Sequence, residues 1–542
     1  MSLDKFFSGK YFPQAVLLLL ILLAHGNILV PYQIENPDAG LIYPLLEKIS
    51  GLVEYLTLLA DFETFDFQPV RDLTFFADIY VFSEFGLIVT ILFNCLLWWC
   101  ACLVLLRILE EQLPRLKRTS STLLVYAISV YPIFLQTINW GIARKHILAF
   151  LFTLLATRYF LLWLRNGKNP FLIVIFYCLS VLSLPISMAW PVWALLTSFM
   201  HPTSAAKGKR KLFTILFSIM VLILGINWAY YKTSFRFLEV YPRKVNTFEI
   251  GHSLLSLGLQ FKQIIFPYNL SFFYEYGLES YLGIVAFIAF LGWLILKRKL
   301  DVDVKTWTAF AGVHLVVTLS SPDIYYDPYV LFPGVGFFIV LFHLFAERIN
   351  KWNFALVPLI LFWSIFTFTQ NRMWKDSVLF YQRSYEANPN CSNAAMYSIR
   401  TYMSGKSLPN ELYDYLQVER CLSSNPEDSP AMRQKKFVLQ TMIYYFEEDI
   451  DPVYRESMLR ELSLKHYYAL ALFAAYLVKK DRKEELEDIL RDFNQKYSQT
   501  NLRFEWDFIF SEVVPDYCKK HELKECMTFS NMWKEKKRMP FF

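Results

Sequence analysis

The sequence predicts an all-α, multispanning membrane protein closed by a soluble helical domain, and three observations carry that reading. Of 542 residues, 55% are hydrophobic and only 19% charged, against roughly 45–50% and about 25% in soluble domains. The apolar residues gather in uncharged runs that fill residues 1–370, whereas residues 371–542 alternate apolar and polar positions at helical spacing. The bases, finally, sit beside the runs on alternate loops. Composition excludes a disordered chain, a collagen-like repeat and a small disulfide scaffold. The net charge of +6 comes without any Lys/Arg tract interleaved with aromatics, so no nucleic-acid partner is expected.

Crossing about 30 Å of hydrocarbon takes about 20 residues of helix. Eleven runs qualify as candidates: residues 11–30, 79–106, 121–138, 147–164, 171–187, 189–200, 212–231, 279–296, 306–321, 329–346 and 353–370. Pro185 and Pro191 interrupt the block around 171–200, which reads either as two spans or as one kinked helix. The first run reads as a retained span, being too long for a signal sequence and lacking a small-residue cleavage site. One set of loops carries Lys5 and Lys10; Arg107, Arg115, Lys117 and Arg118; Arg165 and Lys168; Lys207, Lys209, Arg210 and Lys211; Lys297, Arg298 and Lys299; and Arg348 and Lys351. Positive loops stay in the cytoplasm, so the N-terminus is expected there and the C-terminal domain in the periplasm. Compact, Lys-rich loops suit a bacterial inner membrane.

The opposite loops differ in character. The first, residues 31–78, holds nine acids against two bases, Lys48 and Arg71. Its stretch 41–59 has the apolar spacing of an amphipathic helix lying on the membrane surface. A second large outer loop, 232–278, carries another amphipathic piece at 253–265. Cys95, Cys100, Cys102 and Cys178 fall in spans, where thiols are apolar filler. Cys391, Cys421, Cys518 and Cys526 fall in the exported domain, an even number that permits two disulfides and shows no zinc spacing.

Residues 371–542 read as amphipathic helices joined by short polar turns. FYQRSYEANPNCSNAAMYSI gives helix, Asn-Pro turn, helix, and a second Asn-Pro turn follows 37 residues after the first. That spacing is close to the period of about 34 of a tetratricopeptide helix pair, so a divergent helical-repeat domain is expected, with a generic helical bundle as the plainer reading.

Several strings occur in an order that resembles one family. FQPVRDLTFFADIYVF precedes the second span, YPIFLQTINWGIARKHILAFLF links the third and fourth, and FPYNLSFFYEY lies in the later outer loop. DPYVLFPGVGF and QNRMWKDSVLFYQRSYEANPN follow, so the markers run from about residue 27 to 400. Together with the eleven-span layout they resemble the transmembrane-and-tetratricopeptide-repeat O-mannosyltransferase-like proteins, which join a C-type glycosyltransferase membrane domain to repeats. The resemblance implies a glycosyltransferase-like membrane domain over 1–370 and an exported tetratricopeptide-like domain over 371–542. It further implies transfer of a sugar from a polyprenyl-phosphate carrier to a hydroxyl of an exported polypeptide at the outer membrane face. Such chemistry needs an acid to take or hold the hydroxyl proton, alone or with a divalent cation, and cations for the departing phosphate.

The family's Asp-Asp pair stands shortly before an Asn-Pro; here Asn36-Pro37 is present, but the residues before it read NILVPYQIE. Glu35 and Asp38 are the nearest acids and become the catalytic candidates, with Asp66 and Asp72 further along. Arg144, Lys145 and His146 sit at the outer end of a span, where topology does not call for bases, and a lipid phosphate is their natural partner. The plainer reading of Arg144 and Lys145 is interfacial anchoring. Arg71 beside Asp72 is a phosphate candidate or half of a local ion pair, and Arg243 and Lys244, with Arg236, are candidates for steering an anionic donor. The family's Arg in DPYVLFPGVGF is Pro328 here, and SLPISMAWP lacks its Lys, leaving Asp323 and Asp327 as further acids. No metal-ligand set, P-loop, Rossmann glycine pattern or nucleophile elbow is present.

Two functions therefore stand side by side. One is a polyprenyl-phosphate-sugar-dependent O-glycosyltransferase with membrane lipid, a lipid-linked sugar donor and an exported polypeptide as partners. The other is a catalytically inactive scaffold of the same fold whose repeat domain binds an envelope protein. A lipid-sugar transporter would be expected to show symmetric broken half-segments, which are absent from the sequence.

Overall fold

The computed structural model describes residues 11–26, 51–60, 67–82, 87–201, 208–234, 250–267, 270–271, 274, 278–296, 301–318, 327–403, 408–419, 421–422, 439–445, 450–463 and short stretches between 472 and 488. Among these residues every regular element is a helix. The chain divides into two compact units, residues 1–231 with 247–380, and residues 232–246 with 381–542.

The first unit contains α1 (Phe12–His25), α2 (Leu52–Ala60), α3 (Pro69–Phe82), α4 (Leu87–Gln112), α5 (Arg118–Ser129), α6 (Leu135–Asn139), α7 (Arg144–Asn166), α8 (Pro170–Ser183), α9 (Trp190–Met200), α10 (Lys209–Ser234), α11 (Ile250–Ile265), α12 (Leu278–Leu296), α13 (Val302–Thr318), α14 (Leu331–Leu344) and α15 (Leu356–Asn371). Each apolar run expected from the sequence carries a helix. Among the described residues, Val89–Gln112, Arg144–Asn166, Lys209–Tyr230 and Asn353–Trp374 are individually long and apolar enough to cross a membrane. The pair Arg118–Ser129 and Pro132–Asn139, bent by 48°, makes a fifth if taken as one broken span. On α15, Leu361, Phe362 and Ile365 are exposed, the kind of apolar surface that a bilayer solvates.

The structure redraws three of the expected boundaries. The run at 79–106 belongs to two helices: α3 continues to Phe82 and packs on α7 and α8, and α4 starts at Leu87. The block around 171–200 is two helices rather than one kinked helix. Leu184 is extended (φ −159°, ψ 126°) ahead of Pro185, because proline disfavours helical backbone in the residue before it. The run 121–138 is likewise broken, with Tyr131 extended (ψ 127°) ahead of Pro132.

Alternate loops meet at one end of this unit. Arg115 pairs with Asp301 at 3.0 Å, Arg165 donates to Gln112 at 2.7 Å, and the Lys117 amide donates to Asn350 at 2.9 Å. Loops distant in sequence thus converge at one end, which carries Arg115, Lys117 and Arg165. Between α7 and α8 the chain reverses through Gly167 (φ +69°) and Asn169 (φ +60°), both left-handed, and re-enters helix at Pro170. Small polar groups join these helices: Ser180 donates to the Ala149 carbonyl at 2.7 Å and meets Thr153 at 2.8 Å. Trp190 and Trp193 are fully buried, and their indoles donate to Thr157 and to the Thr306 carbonyl, both at 2.9 Å.

The amphipathic helix α11 lies antiparallel along α12. Lys262 pairs with Glu279 at 2.6 Å, and the two backbones cross at Gly258 and Gly283. A methyl group at Gly283 would lie 1.8 Å from the Gly258 carbonyl oxygen, and one at Gly258 would lie 2.0 Å from that of Ser280. The crossing therefore admits glycine alone. Gly283→Val is expected to lower stability in detergent by at least about 3 kcal/mol, the upper range for overpacking, seen as a lowered thermal midpoint; Gly292→Ala, where nothing lies within 4 Å, is the neutral control.

In residues 371–542 the described helices are α16 (Ser377–Ala387), α17 (Cys391–Met403), α18 (Asn410–Val418) and α19 (Pro452–Ser463). The turn after α16 is the first Asn-Pro of the sequence. There the Asn390 side chain caps α17 by accepting from the Asn393 amide at 2.8 Å, and the Asn393 side chain donates back to the Asn388 carbonyl at 2.8 Å. Cys391 and Cys421 form a disulfide, and Tyr385 packs edge-on against Tyr415 at 5.2 Å. The second Asn-Pro turn, Cys518 and Cys526 lie outside the described residues.

On α19, burial works against the Glu456 charge, yet hydrogen bonds and charge from Arg482 and Arg460 hold its carboxyl below the usual range. A carboxyl that ionises more readily folded than unfolded contributes fully above the ordinary glutamate pKa of about 4.3 and loses that contribution as pH falls through the folded value. Acidification below about pH 4 is expected to lower the melting temperature of this unit, and Glu456→Gln to flatten that dependence, as read by circular dichroism.

Candidate functional site

The site grows from a broken helix. Pro132 has no amide hydrogen and forces Tyr131 out of helical geometry, so the Ser129 and Val130 carbonyls at the end of α5 are left without helical partners. Side chains from other helices supply them. The Ser129 carbonyl accepts from His25 Nε2 and from Trp98 Nε1, both at 3.1 Å. The Val130 carbonyl accepts from Thr367 at 2.8 Å, and the Ile138 carbonyl on α6 accepts from Asn94 at 3.0 Å. Asn139 donates to Asn371 at 2.8 Å. Helices α1, α4 and α15 are thereby fastened to the break.

Asn94 links the break to Arg144, the first residue of α7 and 0% exposed. Arg144 Nε donates to Asn94 at 2.8 Å, and Nη2 meets Asp78 at 2.6 Å and the Thr90 carbonyl at 3.2 Å. Nη1 donates to the Thr74 carbonyl at 3.2 Å, and the guanidinium lies 4.9 Å from the Phe75 ring centroid and 4.8 Å from that of Phe93. Asp78 also accepts from Thr90 at 2.8 Å. This guanidinium ties α3, α4 and α7 together.

Lys145 and His146 follow on α7 and behave differently. The Lys145 ammonium is half-buried and has no hydrogen-bond or ion-pair partner among the described residues. His146 is buried, its ring stands edge-on to Tyr329 at 5.4 Å, and its Nδ1 has no hydrogen-bond partner. Arg71 and Asp72, at the start of α3, are buried and paired at 2.7 Å. Gln68 accepts from Arg71 at 3.0 Å, and Tyr55 of α2 donates to Asp72 at 2.8 Å. Burial first, and the adjacent Asp72 carboxylate second, push the Tyr55 phenol well above its ordinary range, so it stays a donor. The cluster docks α2 onto the start of α3.

Of the candidates from the sequence, then, Arg144 and Arg71 are the hubs of internal ion pairs, Lys145 is uncommitted, and Asp327 opens the short turn Asp327–Val330 beside His146. Glu35, Asp38, Asp66, Arg236, Arg243, Lys244 and Asp323 lie outside the described residues. Sequence reasoning missed Asp78, Thr90 and Asn94 as the partners of Arg144. Asn94 was the available signal, an amide in the middle of an apolar run, where polar groups need a reason. Among the described residues no three His, Cys, Asp or Glu side chains are grouped to hold a metal ion. No protein-family model, curated protein or solved structure matches the chain.

Asp78→Asn leaves the Arg144 charge buried without its counter-ion and is expected to cost about 3–5 kcal/mol. Arg144→Lys fails similarly, because an ammonium cannot reproduce the fork, whereas Lys145→Gln leaves the thermal midpoint in detergent unchanged.

Proposed function

We propose that the chain is a polyprenyl-phosphate-sugar-dependent O-glycosyltransferase of a bacterial inner membrane, working at the outer face on exported polypeptides. In this reading eleven helices cross the bilayer in a C-type glycosyltransferase-like arrangement. The base-rich end lies in the cytoplasm, and residues 371–542 form a periplasmic tetratricopeptide-like domain. The observation that carries it is Lys145, an ammonium with no partner among the described residues beside the unpartnered His146 Nδ1, held by a locked Arg144. A cation kept uncommitted at the membrane boundary suits a lipid phosphate. The Cys391–Cys421 disulfide supports the exported placement, since such bonds persist in oxidising compartments.

The chemistry balances with few groups. The acceptor hydroxyl oxygen bonds to the anomeric carbon as the bond from that carbon to the phosphate oxygen breaks. Glu35 or Asp38 takes the hydroxyl proton, with a divalent cation compatible with that role, and Lys145, aided by Arg243 and Lys244, meets the charge on the departing phosphate. A second reading, an inactive scaffold, is favoured by one observation: Asp72 and Asp78, the described acids of the first outer loop nearest the break, are both engaged by arginines.

With purified protein, a polyprenyl-phosphate sugar and an acceptor peptide, transfer is expected, with Glu35→Gln or Asp38→Asn abolishing it. Lys145→Gln is expected to lower kcat/KM about 100-fold, the scale of losing one charge-stabilising donor. Absence of both donor binding and transfer, with an envelope protein captured instead, establishes the scaffold. Reporter fusions at residue 542 are expected to give periplasmic alkaline phosphatase activity; cytosolic fluorescence overturns the orientation on which both readings rest.

A further inference from the structure

We infer a second ligand site at the base-rich end of the bundle, a cleft that holds the head group of an anionic membrane phospholipid. The cleft measures about 190 Å³ and lies between the first turn of α1, the last third of α4, the start of α5 and the second half of α7. Leu103 and Leu106 form its apolar wall, and Arg107, Arg118 and Arg158 stand around it with Glu110. The frame is fixed: Trp99 donates to the Gln14 carbonyl at 3.0 Å, and Tyr126 to the Pro13 carbonyl at 2.6 Å.

The charge arrangement points to an anion. Arg107 at 3.0 Å and Arg118 at 3.3 Å share the single Glu110 carboxylate, and both guanidinium groups are about half exposed. Each has five N–H donors, so most remain available. Arg158 is forked onto Glu111, Nε reaching its carboxylate at 3.0 Å, and serves as a wall. A single Glu between two exposed Arg leaves a net positive rim, and forked guanidinium groups suit phosphate oxygens.

The apolar wall selects a lipid over a free ion. Leu103 and Leu106 belong to a helix long and apolar enough to cross a membrane, so an acyl chain can lie along it while the head group meets the arginines. The cleft is also separate from the corner at Lys145. Thr90, which bonds Asp78, and Arg107 stand 17 residues apart on α4, about 26 Å at 1.5 Å per residue, close to a hydrocarbon thickness. The site thus contacts the other leaflet and does not depend on sugar transfer.

The test is native mass spectrometry of the full chain released from mixed micelles of phosphatidylglycerol and phosphatidylcholine, with inorganic phosphate as a competing arm. Phosphatidylglycerol is expected to be retained selectively. Affinity is expected to fall about fivefold for each of Arg107→Gln and Arg118→Gln, the worth of one base near a membrane surface. Glu110→Gln, which frees both guanidinium groups, is expected to tighten binding, so a loss in the arginine variants caused by misfolding is told apart. Lys145→Gln is expected to leave retention unchanged. Equal retention of the two lipids, or no change on Glu110→Gln, overturns the proposal. Displacement of the lipid by millimolar inorganic phosphate assigns the cleft to a free anion instead.

Discussion

The carbonyl groups released by the proline at position 132 set the constraint that the bundle is built around. In a bilayer, backbone polar groups that lose their helical partners have no water to turn to, and each costs several kcal/mol if left alone (roughly 4–8 against a non-hydrogen-bonding solvent). The chain answers with donors from three helices: His25 on α1, Trp98 on α4, and Thr367 on α15. These donors come from positions spread from residue 25 to residue 367. The break therefore forces long-range association, and the helices that supply it are held in one register.

Asn94 extends that constraint into electrostatics. Its amide donates to the α6 carbonyl while its oxygen accepts from Arg144, so the guanidinium is positioned by the same break. A buried arginine is tolerated only with charge and hydrogen bonds on nearly every donor. Asp78 gives the charge, the Thr74 and Thr90 carbonyls take further hydrogens, and two aromatic faces complete the shell. That arrangement ties α3, which carries Asp72 and Asp78 among apolar residues, to α4 and α7.

Much of the helical layout was legible because apolar runs and alternating bases report on neighbouring residues along the chain. Arg115 meeting Asp301, and Lys117 meeting Asn350, are the spatial form of an alternation already visible in the order of the loops. The break at Pro132 was not legible: a proline in an apolar run signals a kink or a full break alike, and donors from 31 to 237 residues away accompany the break. Asp78 counts among the nine acids of residues 31–78, and nothing local marks the carboxylate that an arginine 66 residues later will claim. The Gly258–Gly283 crossing escaped for the same reason. Each glycine is unremarkable alone, and only the approach of two backbones to within the space of a methyl group gives them meaning.

Arg144 and Lys145 show how adjacent bases acquire opposite tasks. Successive residues on a helix point about 100° apart, so when α7 turns one of them toward α3 and α4, the next cannot share that pocket. The guanidinium, planar and rich in donors, takes the position where four hydrogen-bond partners and two rings converge; the ammonium, a compact charge on a flexible stem, takes one without a partner among the described residues. Exchanging them would leave an ammonium short of contacts in the interior. The order Arg-Lys at the start of α7 is thus dictated by the pocket that Asp78 and Asn94 build.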